Sequence, residues 1–377
     1  MNRRRFVQAG LATAGFVTIA GCADDDDEDQ TDDTAEAVDD SDDDNADVGD
    51  EDAASFPSHD LPRYSGWIPS ESHDGSAEEL FFTHLDWEAI EQLDSADDSN
   101  EDDETEEVID QIPIIGLPLY GGLITPFTLF GILFYPFAGD VLPEEGETSE
   151  GVGTSSMTWT DDLVIFHGEF DLDVFAEQYT DGFEEGDEQN GFTVYTGDDD
   201  FTEGLAYAVS DETLVVGMTP GEDDDYVPED VVSEALDRYI DETGRLVDDE
   251  EGQWLFETTG EAQMSFGAWQ TEDIMAALDP DDEVEEDVDE EPDTEPDVED
   301  NPVFDDVESL INNIIFTVED GEMRDIEARF SGLYPDDAVP SEDDVREHLI
   351  GEEDVPHEIV IEGNRVHATA TFEEVST

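Results

Sequence analysis

Between Pro62 and Thr377 the chain alternates segments whose apolar residues recur every second position with segments in which they recur at helical spacing. Residues 163–170 predict a strand, and Asp171 behind them can cap a helix running to Tyr179. Residues 191–196, 205–210 and 213–218 predict further strands, the last two joined across Asp211-Glu212 as a hairpin. Residues 228–243 place Val231, Val232, Ala235, Leu236 and Tyr239 on one side of a helix that Gly244 ends. Residues 314–319 and 325–331 flank Asp320-Gly321, a strong hairpin signal. A helix over 341–350 opens with Ser341 as cap and Asp344 three residues on, a near match to a capping box. Residues 358–361 and 365–372 predict a last hairpin around Glu362-Gly363-Asn364.

Many short strands joined by hairpins, with a few helices between them, predict an α+β fold of mainly antiparallel sheet with packed helices. About 315 residues is long for one core, so two similar subdomains are expected, 62–278 and 302–377, separated by an acidic linker at 279–301. Phe166-His167-Gly168-Glu169-Phe170 and Phe330-Ser331-Gly332-Leu333-Tyr334 share Phe-x-Gly-x-aromatic at the end of a strand. Looser versions stand at Phe81 to Asp86 and Ser265 to Trp269. An internal duplication and convergent strand-to-helix turn chemistry both account for this.

Two stretches depart from the alternation. Residues 22–61 are Asp-rich and nearly free of aromatics until Phe56, and cannot bury enough apolar surface to fold alone, so a disordered acidic tether is expected there. A second acidic tract, 95–107, reads as a surface insertion. Residues 111–139 carry no charge and are long enough to span a bilayer. Pro113, Pro118, Pro126 and Pro136 would break such a helix repeatedly, and one span would split the fold across the membrane. Three readings stand for this segment: a buried core piece, an apolar surface dipping into the bilayer, and a true span.

The opening of the chain has its own pattern. Arg3-Arg4-Arg5 precede a short uncharged run from Ala9 to Ala20, and Ile19-Ala20-Gly21-Cys22 places small residues before a cysteine. A twin arginine ahead of a short apolar core reads as an export signal, here 1–21, with Arg3 and Arg4 as its recognition pair. The mature chain would begin at Cys22, which resembles the lipid-carrying cysteine of archaeal and bacterial lipoproteins.

Composition changes the picture again. The chain has 112 acidic residues against 10 basic ones, and every basic residue is an arginine. In dilute buffer that density of like charge favours an expanded chain. At molar salt the Debye length falls to about 3 Å and the charges mainly hold surface water. The composition resembles that of haloarchaeal proteins. Together with the signal, the chain resembles an exported haloarchaeal surface lipoprotein of an uncharacterised family, which implies residence on the outer face of the membrane, anchored through Cys22. Nucleic acid is excluded as a partner, since no basic face exists to neutralise phosphates. The Asp runs at 24–29 and 39–44 lack the glycine and ligand spacing of a calcium hand.

Candidate chemistry is sparse. With Cys22 lipidated no thiol remains, so disulfides, thiol nucleophiles, thiolate zinc sites and blue-copper sites are excluded. The histidines, His59, His73, His84, His167, His348, His357 and His367, form no metal-ligand pair at i, i+4. His84 and His167 hold equivalent places in the strand pattern, which suggests either a shared site or polar residues at strand ends. No Gly-x-Ser-x-Gly elbow or phosphate-cradling loop is present, and acidic pairs are too numerous to single one out. Trp67, Trp87, Trp159, Trp254 and Trp269 could line a cleft or fill a core. The expectation is a non-enzymatic, lipid-anchored binding or structural module with no cofactor, no metal and no catalytic residue. Its membrane contacts would be Cys22 and, in the dipping or spanning readings, 111–139. The alternatives are a solute-binding lipoprotein of a transporter, built on a two-lobed parallel α/β fold, and a secreted hydrolase.

Overall fold

The computed structural model describes residues 55–71, 79–87, 89, 114–115, 152–160, 163–198, 202, 204–218, 227–271, 301–319, 322–351 and 355–373. These form one antiparallel sheet of 12 strands. In chain order the strands are β1 (Leu80–Asp86), β2 (Val152–Thr160), β3 (Leu163–Phe170), β4 (Phe183–Gln189), β5 (Phe192–Gly197), β6 (Leu205–Val209) and β7 (Thr213–Met218). They continue with β8 (Met264–Trp269), β9 (Ser309–Glu319), β10 (Glu322–Leu333), β11 (His357–Glu362) and β12 (Arg365–Glu373). Among the described residues the α-helices with given bounds are α1 (Leu172–Gln178), α2 (Pro228–Asp241), α3 (Glu250–Thr259) and α4 (Glu342–Val345, continued by a wider turn over Arg346–Ile350). The α+β expectation holds, the hairpins at 211–212 and 362–364 form where the turn residues put them, and β9 and β10 pair across 320–321, which lies outside the described residues.

Across the sheet the order is β11-β12-β10-β9-β8-β1-β2-β3-β7-β6-β5-β4. Moving outward from the central β8–β1 pair, β8, β9, β10, β12, β11 on one side mirror β1, β2, β3, β7, β6 on the other. The two halves meet by hydrogen bonding, Thr83 opposite Phe266 and His84 opposite Ser265, so the ladder is continuous between β8 and β9, which flank 279–301 in sequence. Phe166 and Phe330 occupy corresponding places in β3 and β10, the counterpart strands. Gly332 leaves room for the aromatics that flank it, since a Cβ there would sit 2.9 Å from the Phe330 ring and 3.0 Å from Tyr334.

Both faces of the sheet are covered. On face A, Val164, Phe166, Leu214, Val216, Phe266, Ile314, Phe330 and Ala368 pack with Phe175 and Tyr179 from the α1 end and with Val345 and Leu349 from α4 and its continuation. Asp171 starts α1 by accepting from the backbone N–H groups of Asp173 and Val174, and Ser341 and Asp344 make the capping box that starts α4. Ile114 and Ile115 are buried in this same cluster, and Asn312 Nδ2 donates to the Ile114 carbonyl at 3.0 Å. Apart from those two isoleucines, 111–139 lies outside the described residues. Among the described residues no helix is long and apolar enough to cross a membrane. On face B, α2 sets Val231, Val232, Ala235 and Leu236 over β3, β5, β6 and β7. Toward the other half, Leu255 and Phe256 of α3 pack with Phe82, Ile311 and Leu333.

Gly267 lets the central strands and α3 close together. A Cβ built there would lie 2.0 Å from the Phe82 ring, and Phe82 is itself stacked against Phe256 at 5.6 Å. Gly267→Ala is expected to destabilise the fold by about 1–3 kcal/mol through overpacking. Thermal unfolding in molar salt checks this, and Phe82→Leu in the same chain should return part of the loss by making room for the methyl.

Candidate functional site

The most distinctive feature of face B is a row of polar side chains buried across the centre of the sheet. Reading across strands in register, Thr369 faces Arg329, Arg329 faces Asn313, Asn313 faces Ser265, Ser265 faces His84, and His84 faces Thr158. Each lies on the face opposite the large apolar cluster, because side chains alternate along a strand. Asn313, Ser265, His84 and Thr158 are all less than 5 % exposed. Buried polar groups must find partners within the protein, and most of these do. His84 Nδ1 lies 2.9 Å from Thr158 Oγ1, Asn313 Nδ2 donates to the Gly260 carbonyl at 2.8 Å, and Arg329 donates to the Thr259 carbonyl at 2.8 Å.

Two further pairs flank the row. His167 Nδ1 lies 3.3 Å from Thr213 Oγ1, and Ser331 Oγ lies 3.0 Å from His367 Nδ1. His167 follows Phe166 and Ser331 follows Phe330, so the two pairs occupy corresponding places in the two halves with the imidazole on opposite members.

What covers the row is the segment just ahead of β1. Residues 55–71 run as a strap over face B between α2 and α3. Pro62 leads into a 3₁₀ turn at Arg63–Trp67, closed by Ser65 Oγ donating to the Pro62 carbonyl at 2.7 Å. Three residues per turn bring positions i and i+3 to the same side, so Tyr64 and Trp67 both point into the sheet. Each is only 1 % exposed. The Tyr64 ring stacks on His84 at 4.2 Å and its hydroxyl donates to Ser265 Oγ at 2.9 Å. Trp67 stacks on Tyr239 of α2 at 3.9 Å and lies 6.3 Å from the His167 ring. Trp67 Nε1 and His167 Nε2 at this end, and Asn313 Oδ1 and Trp254 Nε1 toward the other, are buried without a hydrogen-bond partner.

Burial sets the electrostatics. Desolvation, with His167 adding to it, holds His84 down to about 3. Desolvation and then nearby Arg63 hold His167 down to about 4, and desolvation followed by Arg329 and His59 holds His367 at about 4. All three imidazoles are therefore neutral at neutral pH. Burial likewise pushes the Tyr64 hydroxyl far above its usual range, leaving it a donor. Burial also raises the Glu261 carboxyl, which a hydrogen bond from the Arg63 main chain partly offsets.

His84 and His167 thus share a face, on the two strands beside β2, but each nitrogen that is engaged meets a hydroxyl rather than a common ligand. Among the described residues no group of three His, Cys, Asp or Glu side chains could hold a metal. His348 sits on the continuation of α4 and His357 on edge strand β11, away from this row. All five tryptophans lie in or against the apolar clusters. Arg3, Arg4, Cys22 and His73 lie outside the described residues. The strap itself escapes a sequence reading. Its signal is the Pro62 entry followed by Tyr64 and Trp67 three apart, too short for any periodicity to register.

No protein-family model matches the chain, and no curated protein matches it. Among solved structures, crystal form III of TP0453 aligns with a TM-score of 0.37 at 10% identity, covering 84% of this chain and 95% of that one. Crystal form I of TP0453 aligns with a TM-score of 0.35 at 7% identity, covering 83% of this chain and 94% of that one. Likeness at that level carries no inference about this chain.

Two outcomes test the site. Trp67→Ala removes a fully buried ring and is expected to cost about 3–5 kcal/mol, read from denaturant midpoints at fixed salt. The second concerns pH. His84, His167 and His367 bind protons more readily unfolded than folded, so stability falls as pH drops below the free-histidine value of 6.5 and keeps falling toward the folded values near 3 to 4. His367→Gln should flatten the fall between pH 6 and 4 by one proton, about 1.4 kcal/mol per pH unit. An unchanged slope would show that His367 already carries its proton when folded.

Proposed function

We propose that the protein is a lipid-anchored cell-surface module of a high-salt organism, binding or structural rather than catalytic, tethered through a lipid on Cys22. The observation that carries this reading is where the tether enters the fold. The chain that follows the acidic spacer passes directly into the buried strap, with Phe56 edge-on to Trp254 at 5.2 Å and Tyr64, Trp67 and Ile68 sealed against the sheet. A spacer joined to a loose terminus would let the module fray from its anchor end, because chain termini are ordered only where they are tied down. Here the anchor side of the chain is tied into the centre of the sheet. The singled-out histidines act in this reading as neutral, hydrogen-bonded core groups. The transporter-linked alternative rests on parallel βα units, whereas each described ladder is antiparallel.

The test is to express the Cys22→Ser chain in a halophilic host and to ask, in molar salt, whether the exported protein stays with washed membranes. Release into the medium is the expected result. Retention equal to that of the unaltered chain would overturn the single-anchor reading and point to 111–139 as a membrane contact.

A further inference from the structure

The strap belongs to no ladder of the sheet and lies in neither of the helices beside it. Every strand of the sheet finds its neighbours without it. Its hold comes instead from contacts spaced along its length, each made to residues later in the chain. The His59 N–H donates to the Glu257 carbonyl at 2.7 Å, the Ser70 N–H donates to the Gly244 carbonyl at 3.0 Å, and the Leu246 N–H donates to the Ile68 carbonyl at 2.9 Å. Pro69 forms an isolated antiparallel bridge with Arg245. Ahead of these main-chain grips Phe56 packs on Trp254, and between them lie Tyr64 on His84 and Ser265 and Trp67 on Tyr239. That is the anatomy of an extended peptide in a groove: backbone hydrogen bonds give the register and aromatic side chains fill the pockets.

We infer that face B between α2 and α3 is a peptide-binding groove whose occupant is the chain's own segment 55–71, gripped strongly enough to stay in place when the link to β1 is cut. The class of ligand is an extended segment with a proline entering a tight turn and two aromatic rings three residues apart, as in Pro62-Arg63-Tyr64-Ser65-Gly66-Trp67-Ile68. Among the described residues the grip consists mainly of ring stacking and uncharged hydrogen bonds, with one hydrogen bond from the Arg63 main chain to the Glu261 carboxyl, so molar salt screens little of it. Salts that favour burial strengthen it. The grip itself does not depend on the lipid, but its consequence for anchoring rests on the function proposed above. With that anchor in place, the module is joined to the membrane twice, once by the covalent chain and once by the occupied groove.

A protease recognition sequence inserted between Glu71 and Glu79 of the full chain tests this. The purified Cys22→Ser protein is cut and run on a sizing column in molar salt. The two pieces are expected to elute together, and their separation would overturn the inference. Trp67→Ala should then speed their separation by about a hundredfold or more, as loss of a central aromatic anchor does. Should that variant fail to fold, excess synthetic 55–71 peptide added to the cut wild-type protein gives the second reading. To allow exchange despite slow release, the cut pieces are unfolded and refolded in molar salt with the labelled peptide in excess: labelled peptide co-eluting with the module supports the inference, and a refolded module that carries none overturns it. The lipidated chain on washed membranes supplies the independent arm. If the uncut chain washes off, the anchoring proposal fails while the column result still decides the groove. If the uncut chain stays and the module leaves on cutting, the groove inference fails and the anchor stands.

Discussion

The structure depends on one constraint: a wide sheet covered on both faces has a row of polar side chains through the middle of one of them. His84, Ser265, Asn313 and Thr158 cannot reach bulk water, and an unmet buried polar group costs about 1–3 kcal/mol. The strap answers part of that demand. Tyr64 supplies a hydroxyl to Ser265 and a ring to the imidazole of His84, while its own apolar edge meets Phe82 and Phe256. An aromatic with a polar tip suits a site where apolar side chains and a polar row meet. The neutral state of the three histidines follows from the same burial rather than from any separate device.

The mirrored strand order explains why the strap lies where it does. Each half brings its own helix to face B, α2 over the β3 to β7 side and α3 over the β9 and β10 side, and these flank the central β8–β1 pair. The two pairs His167 with Thr213 and Ser331 with His367 are matched across that centre. The centre itself has no counterpart to call on, so a single segment must cover it. The strap does so once and breaks the symmetry, its Trp67 end lying against Tyr239 and its Phe56 end against Trp254.

Most of the hairpins and caps were legible in the sequence, because their signals are local. Asp171 and the Ser341 and Asp344 pair act within a few residues of where they stand, and β9 and β10 pair across the short gap the turn signal predicted. The strands that escaped did so for physical reasons. In β2 the polar alternate positions, Ser156 and Thr158 among them, turn toward the polar row, so the strand lacks the apolar content expected of a central one. Edge strand β4 carries Glu184, Glu185, Asp187 and Glu188 and reads as a loop; it pairs only with β5, and its charges and the irregularity between Glu185 and Glu188 suit an unprotected edge. Helix α3 starts on Asp249 and is held by Leu255 and Phe256 against β1, far ahead of it in the chain, and β9 and β10 after it, contacts no local window contains. The candidate site was half legible. The correspondence of His84 and His167 could be read from the strand pattern, whereas the hydroxyls they face and the strap above them are long-range pairings.

The shortage of cations shapes the interior as well as the surface. With 10 arginines and no lysine against 112 acids, the chain has few positive groups to spend on buried ion pairs. Among the described residues Arg245, Arg329 and Arg346 pair with carboxylates two or three positions away in sequence, near the surface. The long-range polar contacts across the centre of the sheet are made mainly by imidazole, hydroxyl and amide groups, with Arg329 reaching the Thr259 carbonyl at one end of the row. That choice avoids the desolvation of two charges that a buried ion pair requires. It also separates the two electrostatic responses of the molecule. Salt acts on the acidic exterior, where charges are exposed and screened, while pH in the mildly acidic range acts on the buried row, where screening does not reach. The fold can therefore sit in molar salt without its central contacts being weakened by the ions that its surface requires.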